Sequence, residues 1–200
     1  LTKKKVDIIF IPRINDMYPA DFSTFIDLKK FDNILCGKKR KGHFSGVATV
    51  VLKLFCLINP SFAFFGEKDY QQLFIIKKLV RDLNFKINIQ AVKTVRDKNG
   101  LALSSRNRLL SIEEKNIASK VNLILKEATN KSLKNIEIIL KRITKKLYSE
   151  GVKKVEYLEI RNEKSLELYK IGKVDNKNYR IFVAVIIGNI RLIDNMKLLK

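Results

Sequence analysis

Gly66-Glu67-Lys68-Asp69 is the segment whose residue types most plainly invite chemistry. The apolar run Phe62 to Phe65 leads into it, and a helical pattern from about Tyr70 to Leu83 leads out of it. A strand that hands over to a helix in this way sits at the carboxyl edge of an α/β sheet, where such folds bind ligands. Glycine lets a nucleotide approach the backbone, and the unpaired N–H groups of a helix start favour anions. Lys68 would add a mobile positive charge for phosphates and Asp69 an acceptor for ribose hydroxyls. A plainer reading competes: Asp69 and Gln72 stand three apart at a helix start and suit a capping box. That reading leaves Lys68 without a purpose.

Leu103-Ser104-Ser105-Arg106-Asn107 is the second candidate. Two hydroxyls beside a permanently charged guanidinium can donate several hydrogen bonds to phosphate oxygens. Its plain alternative is a helix-cap serine beside a surface arginine. Placed on the same sheet edge as the Gly66 loop, the two segments could clasp one triphosphate. A third segment, Arg40-Lys41-Gly42-His43-Phe44-Ser45-Gly46, holds the single histidine of the chain. No metal-ligand partner stands near His43 at a suitable spacing, so it reads as positional. The run Lys38 to Lys41 reads as a solvated loop.

The elements that must position these residues alternate in the first half. Val6 to Ile11 is a short apolar run ended by Pro12 and predicts a buried parallel strand. Phe44 to Ile58 carries Val47, Val50, Val51, Leu54, Phe55 and Ile58 at helical spacing, with Pro60 as its stop. Phe62 to Phe65 predicts a second buried strand and Ile87 to Val95 a third, with a turn at Lys98-Asn99-Gly100. This is the βαβ grammar of a doubly wound parallel sheet.

The second half predicts two helices, Ser111 to Glu127 opened by a capping box and Ser132 to Glu150 ended by Gly151. The apolar stripe of the latter is Leu133, Ile136, Ile139, Leu140, Ile143 and Leu147. Strands follow at Val155 to Ile160, Arg180 to Ile187 and Ile190 to Ile193. The fold class is α/β with a small α+β C-terminal domain, divided as 1–108 and 109–200.

The composition frames these sites. The 200 residues include 41 Lys plus Arg against 20 Asp plus Glu, a formal net charge of +21. Such a charge would suit a nucleic-acid or membrane-surface partner. Yet 31 of the cations are Lys and only 10 are Arg, with 25 Ile, 16 Asn and no Trp. A nucleic-acid groove recruits Arg forks and stacking aromatics, so the excess reads as a codon bias spread along the chain. No apolar run reaches the roughly 18–20 residues of a membrane span. The start, from Leu1, has no secretory signal and no initiator Met, which suggests a fragment. Cys36 and Cys56 read as free thiols of a reducing cytoplasm.

Several of these segments together resemble the pantothenate synthetase family. They are His43-Phe44-Ser45-Gly46-Val47-Ala48-Thr49-Val50-Val51, Lys53-Leu54-Phe55, Phe65-Gly66-Glu67-Lys68-Asp69, Gln71-Gln72, Val80-Arg81-Asp82-Leu83 and Gly100 to Asn107. Met17-Tyr18-Pro19 precedes them, and Arg191-Leu192-Ile193-Asp194-Asn195 resembles the closing strand of the family. The matches are collinear and span nearly the whole chain.

The resemblance implies a pantoate–β-alanine ligase with a fold akin to class I aminoacyl-tRNA synthetases. ATP with Mg2+ would adenylate the pantoate carboxylate and release pyrophosphate, and β-alanine would then displace AMP. It implies that Gly66, Glu67, Lys68 and Asp69 hold ATP, with Val95 contacting adenine through its backbone. Leu103, Ser104, Ser105 and Arg106 would form a flexible phosphate loop, and Gln72 would bind pantoate. Lys68 and Arg106 would stabilise the charge of the transition state. The resemblance further implies a homodimer, with the Phe44 to Ile58 region as a contact; the residues themselves predict a cytoplasmic location, no membrane partner and no protein-bound metal.

Departures from the family pattern accompany it. The opening segment of the family, with a His-x-Gly-His-type motif and a second pantoate-binding Gln, has no counterpart among these residues and is expected to precede Leu1. No catalytic histidine is therefore assignable, and the 200 residues alone are expected to be inactive and to bind ATP poorly. Lys41 and Ser45 stand where the family usually has Pro and Arg. The competing hypotheses are a basic nucleic-acid-binding remnant and a structural fragment that only dimerises. On a DNA or RNA column at physiological salt the expected outcome is no retention; retention that falls steeply with rising salt would favour the nucleic-acid alternative.

Overall fold

Among the described residues, two short parallel strands and one three-stranded antiparallel sheet organise the fold. The computed structural model describes residues 2–129, 135–170 and 178–198. Leu1, which the histidine motif of the family is expected to precede, lies outside the described residues. Three short helical turns come first: α1 (Ile14–Met17), α2 (Lys29–Asp32) and α3 (Leu35–Lys39). Helix α4 (His43–Ile58) then leads to β1 (Phe62–Gly66), α5 (Tyr70–Asp82) and β2 (Asn88–Val92). Helices α6 (Ile112–Thr129) and α7 (Ile136–Ser149) precede β3 (Lys154–Asn162), β4 (Tyr179–Ile187) and β5 (Ile190–Lys197).

The βαβ unit is β1–α5–β2, with Phe62 opposite Asn88 and Gly66 opposite Val92 in parallel register. Helix α5 is held on these strands by Ile76, Leu79 and Val80, which meet Phe55 of α4 and Ile87 in one apolar cluster. The spacing of these residues at 76, 79 and 80 places them on one helical stripe. Asn59, in the left-handed region at φ 47°, closes α4 by donating its N–H to the Phe55 carbonyl, one residue before Pro60.

Two expectations fail here. Val6 to Ile11 forms no strand; its side chains are largely exposed, Ile8 by 83% and Ile11 by 82%. An apolar run becomes a buried strand only when a neighbour supplies ladder hydrogen bonds and both faces are covered. Among the described residues neither condition holds for this segment. For the same reason β1 is a strand but not a buried one. Its burial alternates, leaving Phe62 and Phe64 exposed while Ala63 and Phe65 pack inward. The strand expected over Ile87 to Val95 is also shorter, Asn88–Val92.

The second half follows its periodicities more closely. Ser111 and Glu114 make the expected capping box, with Ser111 N donating to Glu114 Oε2 and Glu114 N to Ser111 Oγ. Ile136, Ile139, Ile143 and Leu147 form the buried stripe of α7; residues 132 and 133, expected in this helix, lie outside the described residues. Gly151 ends the helix at φ 94°, and a Cβ there would come within 2.9 Å of Ile117. Strand β5 runs four residues beyond the expected end, to Lys197.

Strand β4 lies between β3 and β5, and nearly all of its residues are buried. Ile181, Val183, Val185 and Ile187 pack with α6 and α7, whereas Phe182 packs with Phe31, Phe44 and Ile75 from the first half. The period-two alternation of a strand thus gives one face to each half of the molecule. Four arginines secure the surrounding sheet and loops to carboxylates: Arg96–Asp194, Arg161–Glu159, Arg180–Glu163 and Arg191–Glu156. No helix among the described residues is long and apolar enough to cross a membrane. Truncation of the fully buried Ile181 to Ala is expected to cost about 2–5 kcal/mol in denaturant unfolding.

Candidate active site

The strand-to-helix handover predicted at Gly66 is present. β1 ends at Gly66, a single 3-10 turn covers Glu67–Asp69, and α5 begins at Tyr70. A Cβ at Gly66 would meet nothing within 4 Å, so the backbone there faces open space. Asp69 occupies the position before α5 but makes no side-chain cap, and the capping box with Gln72 is not formed. Both side chains instead border a small cavity of about 50 Å³ together with Arg40, His43, Lys68 and Arg106.

Lys68 is the hinge of this arrangement. Its side chain is only 17% exposed, and its ammonium lies 3.9 Å from the Asp69 carboxylate. It borders the cavity that contains Arg106 and also a second, smaller one that contains Ser104 and Asn107. The Gly66 turn and the Ser104 segment, 38 residues apart by number, therefore meet at one lysine.

The Ser104 segment is a 3-10 turn over Ser105–Leu109. Ser104 Oγ accepts the Arg106 N–H at 3.3 Å, so the cap-serine alternative holds for this residue as well. Ser105 and Arg106 are exposed at the turn. Val95 is tied to the same segment, its carbonyl accepting the Leu103 N–H at 2.9 Å. Asp97 shapes the connecting turn, its carboxylate accepting from Asn99 N and Leu101 N. Val95, Leu103 and the Ser104 turn are thus one continuous edge.

His43 stands at the start of α4 and faces the cavity. Its Nε2 lies 2.8 Å from Arg40 Nη1, and a guanidinium can only donate, so Nε2 accepts and the imidazole is neutral with its proton on Nδ1. Burial first, and then the charge of Arg40, holds its pKa below the ordinary 6.5. The histidine motif expected before Leu1 falls outside the described residues, as Leu1 does, and no catalytic role is assigned to either.

Several residues of the cavity gave no signal as chemistry in the sequence. Gln71 is buried and acts as a cross-brace: its amide oxygen accepts Cys36 N, and its nitrogen donates to the Phe31 and Ile34 carbonyls. Cys36 Sγ lies 3.2 Å from the Tyr157 hydroxyl and 3.7 Å from Arg191 Nη2. Burial pushes the Tyr157 phenol far up, keeping it protonated. Three elements distant in sequence thereby build one wall. Among the described residues, no group of three or more His, Cys, Asp or Glu could hold a metal ion.

The model of the family described as pantoate-beta-alanine ligase matches residues 1–197. The chain belongs to that family. A pantothenate synthetase from Caldicellulosiruptor bescii is 45% identical over 197 residues, covering 97% of this chain and 69% of the relative. One from Buchnera aphidicola (strain APS) is 45% identical over 204 residues, covering 100% of this chain and 70% of the relative. Among solved structures, a pantothenate synthetase from Thermus thermophilus superposes with a TM-score of 0.90 at 35% identity, over 100% of this chain and 72% of that one. A pantoate-beta-alanine ligase from Francisella tularensis, complexed with a β,γ form of ATP and β-alanine, gives 0.77 at 38% identity, over 98% and 66%. The fold of this chain is accordingly that of the pantoate-beta-alanine ligases, and nothing in these likenesses favours a nucleic-acid module.

The neutral state of His43 makes acid stability a readout of the site. Its depressed folded pKa means the stabilisation is full above about 6.5 and is lost as pH falls through the folded value. Thermal melts from pH 7 to pH 5 are therefore expected to fall more steeply for the wild type than for His43→Gln. Equal slopes would show that the imidazole does not titrate in this environment.

Proposed function

We propose that this chain supplies the phosphate-binding half of a site that joins pantoate to β-alanine at the expense of ATP, giving pantothenate, AMP and pyrophosphate. The observation that carries the reading is the shielded Lys68, placed between the Arg106 cavity and the Ser104 turn in a member of this ligase family.

The chemistry follows from charge. A carboxylate and ATP repel each other, so the site must first neutralise both. Lys68, Arg106 and the N–H groups opening α5 supply that neutralisation. Attack of the pantoate carboxylate on the α-phosphorus breaks the bond to pyrophosphate and leaves a pantoyl adenylate. The β-alanine amine then attacks the acyl carbon, AMP leaves, and the amine loses its proton. Gly66, Glu67, Lys68 and Asp69 hold ribose and phosphates in this reading, and Gln72 takes pantoate. Val95 lies against adenine, with Leu103, Ser104, Ser105 and Arg106 closing over the phosphates. Exclusion of water by that closure protects the adenylate from hydrolysis.

Magnesium would accompany ATP as part of the nucleotide substrate and help neutralise its phosphates. Residues 1–108 form the nucleotide- and pantoate-binding part and residues 109–200 the α+β part. The working state is a cytoplasmic homodimer.

Lys68→Ala, in the enzyme carrying the opening segment of the family, is expected to abolish pantoate-dependent ATP–pyrophosphate exchange while leaving the circular dichroism spectrum intact. Exchange at the wild-type rate in that variant would falsify the assignment.

A further inference from the structure

The turn that carries Lys68 is not held by its own neighbours in sequence. Asn195, buried on β5, donates both hydrogens of its amide into that turn, to the Glu67 carbonyl at 3.0 Å and the Lys68 carbonyl at 2.8 Å. Its amide oxygen accepts from Arg180 Nη1 at 2.5 Å, which fixes the direction in which the amide points. Arg180 is fixed in turn by Glu163 at 2.9 Å and lies 4.1 Å from the centroid of the Tyr70 ring, at the first residue of α5.

The preceding residue performs the matching task on the other loop. Both carboxylate oxygens of Asp194 accept from Arg96, at 2.6 and 2.8 Å, and Arg96 also donates to the Gly100 carbonyl at 3.1 Å. Arg96 and Ala102 form an isolated β-bridge at the base of the segment that leads to Ser104. Asp194 Oδ1 further accepts the Asn195 N–H at 2.8 Å, which ties the two anchors to each other.

The geometry points to Asp194-Asn195 as a positioning pair for the phosphate site: one strand end sets the Lys68 turn and the approach to the Ser104 turn in a single register. The inference rests on the proposed function, because it assigns these two residues the task of aligning Lys68 with Arg106. Neither of them touches substrate. Their part-buried contacts act on the two turns through main-chain carbonyls and a bidentate arginine, the kinds of bond that fix direction as well as distance. A transition-state cation misplaced by even about 1 Å can cost on the order of a hundredfold in rate.

Asn195→Asp tests this with little change in shape. It keeps an oxygen for Arg180 but replaces the two donated hydrogens with an acceptor facing two carbonyls. In the 200-residue chain, hydrogen exchange at the amides of Lys68, Asp69 and Tyr70 is expected to accelerate about tenfold or more, with Val183 unchanged. With the opening segment of the family present, binding of inorganic triphosphate, measured by calorimetry, is expected to weaken by roughly tenfold. In the enzyme carrying the opening segment of the family, kcat for pyrophosphate exchange is expected to fall about ten- to a hundredfold with KM for pantoate little changed. Asn195→Ala is the second variant should the first fail to fold.

Unchanged exchange at the three amides overturns the clamp. Faster amide exchange with kcat, per folded molecule, and triphosphate affinity both at wild-type values overturns the positioning role. If the wild-type enzyme carrying the opening segment of the family binds no triphosphate, that counts instead against the phosphate site itself, and the three amides then decide the clamp alone.

Discussion

Burial of β4 on both faces is the constraint from which the rest of the structure follows. A strand that gives Ile181, Val183, Val185 and Ile187 to α6 and α7, and Phe182 to the aromatic cluster of the first half, cannot shift by one residue. A one-residue slip would exchange every side chain between the two cores. β5 inherits that register through its antiparallel pairing, in which Asn195 stands opposite Phe182 and Asp194 opposite Val183. The placement of the two anchoring side chains is therefore a consequence of hydrophobic register made elsewhere. Polar precision at the cavity depends on apolar precision behind it.

This explains why two halves with different grammars form one site. The βαβ unit supplies the turn, the open Gly66 backbone and the helix start, but not the forces that orient them. Those come from β5, from the Arg180 stack on Tyr70 and from the wall made by Cys36, Tyr157 and Arg191. A division at residue 108 separates two kinds of secondary structure. It does not separate two cores, because Leu101 packs with α6 and α7 while Leu166 and Phe182 pack with Phe31 and Phe44.

The sequence was legible where the pattern is local. α5, α6 and α7 announce themselves by apolar spacing, and the Gly66 turn by its place between a strand and a helix. It misled at Val6 to Ile11 and at β1, because an apolar run reports what a segment could bury and not whether a neighbour is there to bury it. Asp194 and Asn195 stood in a segment carrying the resemblance, but their bracing contacts were illegible for a different reason. Asn195 bonds residues 127 and 128 positions away, and Arg96 bonds Asp194 across 98, so no window of sequence contains both partners. Gln71 showed only as part of a resemblance, Cys36 only as a free thiol and Tyr157 not at all; their contacts with distant residues are made by the fold.

The four shielded arginine–carboxylate pairs carry one more consequence. Lysine outnumbers arginine three to one in this chain, yet the ion pairs that brace the sheet and its loops use arginine. Arg96, Arg161, Arg180 and Arg191 all lie at 23% exposure or less, whereas the ion-paired Lys78, Lys120, Lys146 and Lys197 lie at 33% or more. A planar fork tolerates burial and fixes two bonds at once; an ammonium is a strongly hydrated point charge. The ion-paired Arg13 and Arg81, at 86% and 74% exposure, do no such bracing, so it is the shielded forks that hold the sheet and its loops. Among the described ion pairs Lys68 is the one lysine as shielded as those arginines. It sits on the strand-to-helix turn where the proposed function places the phosphates.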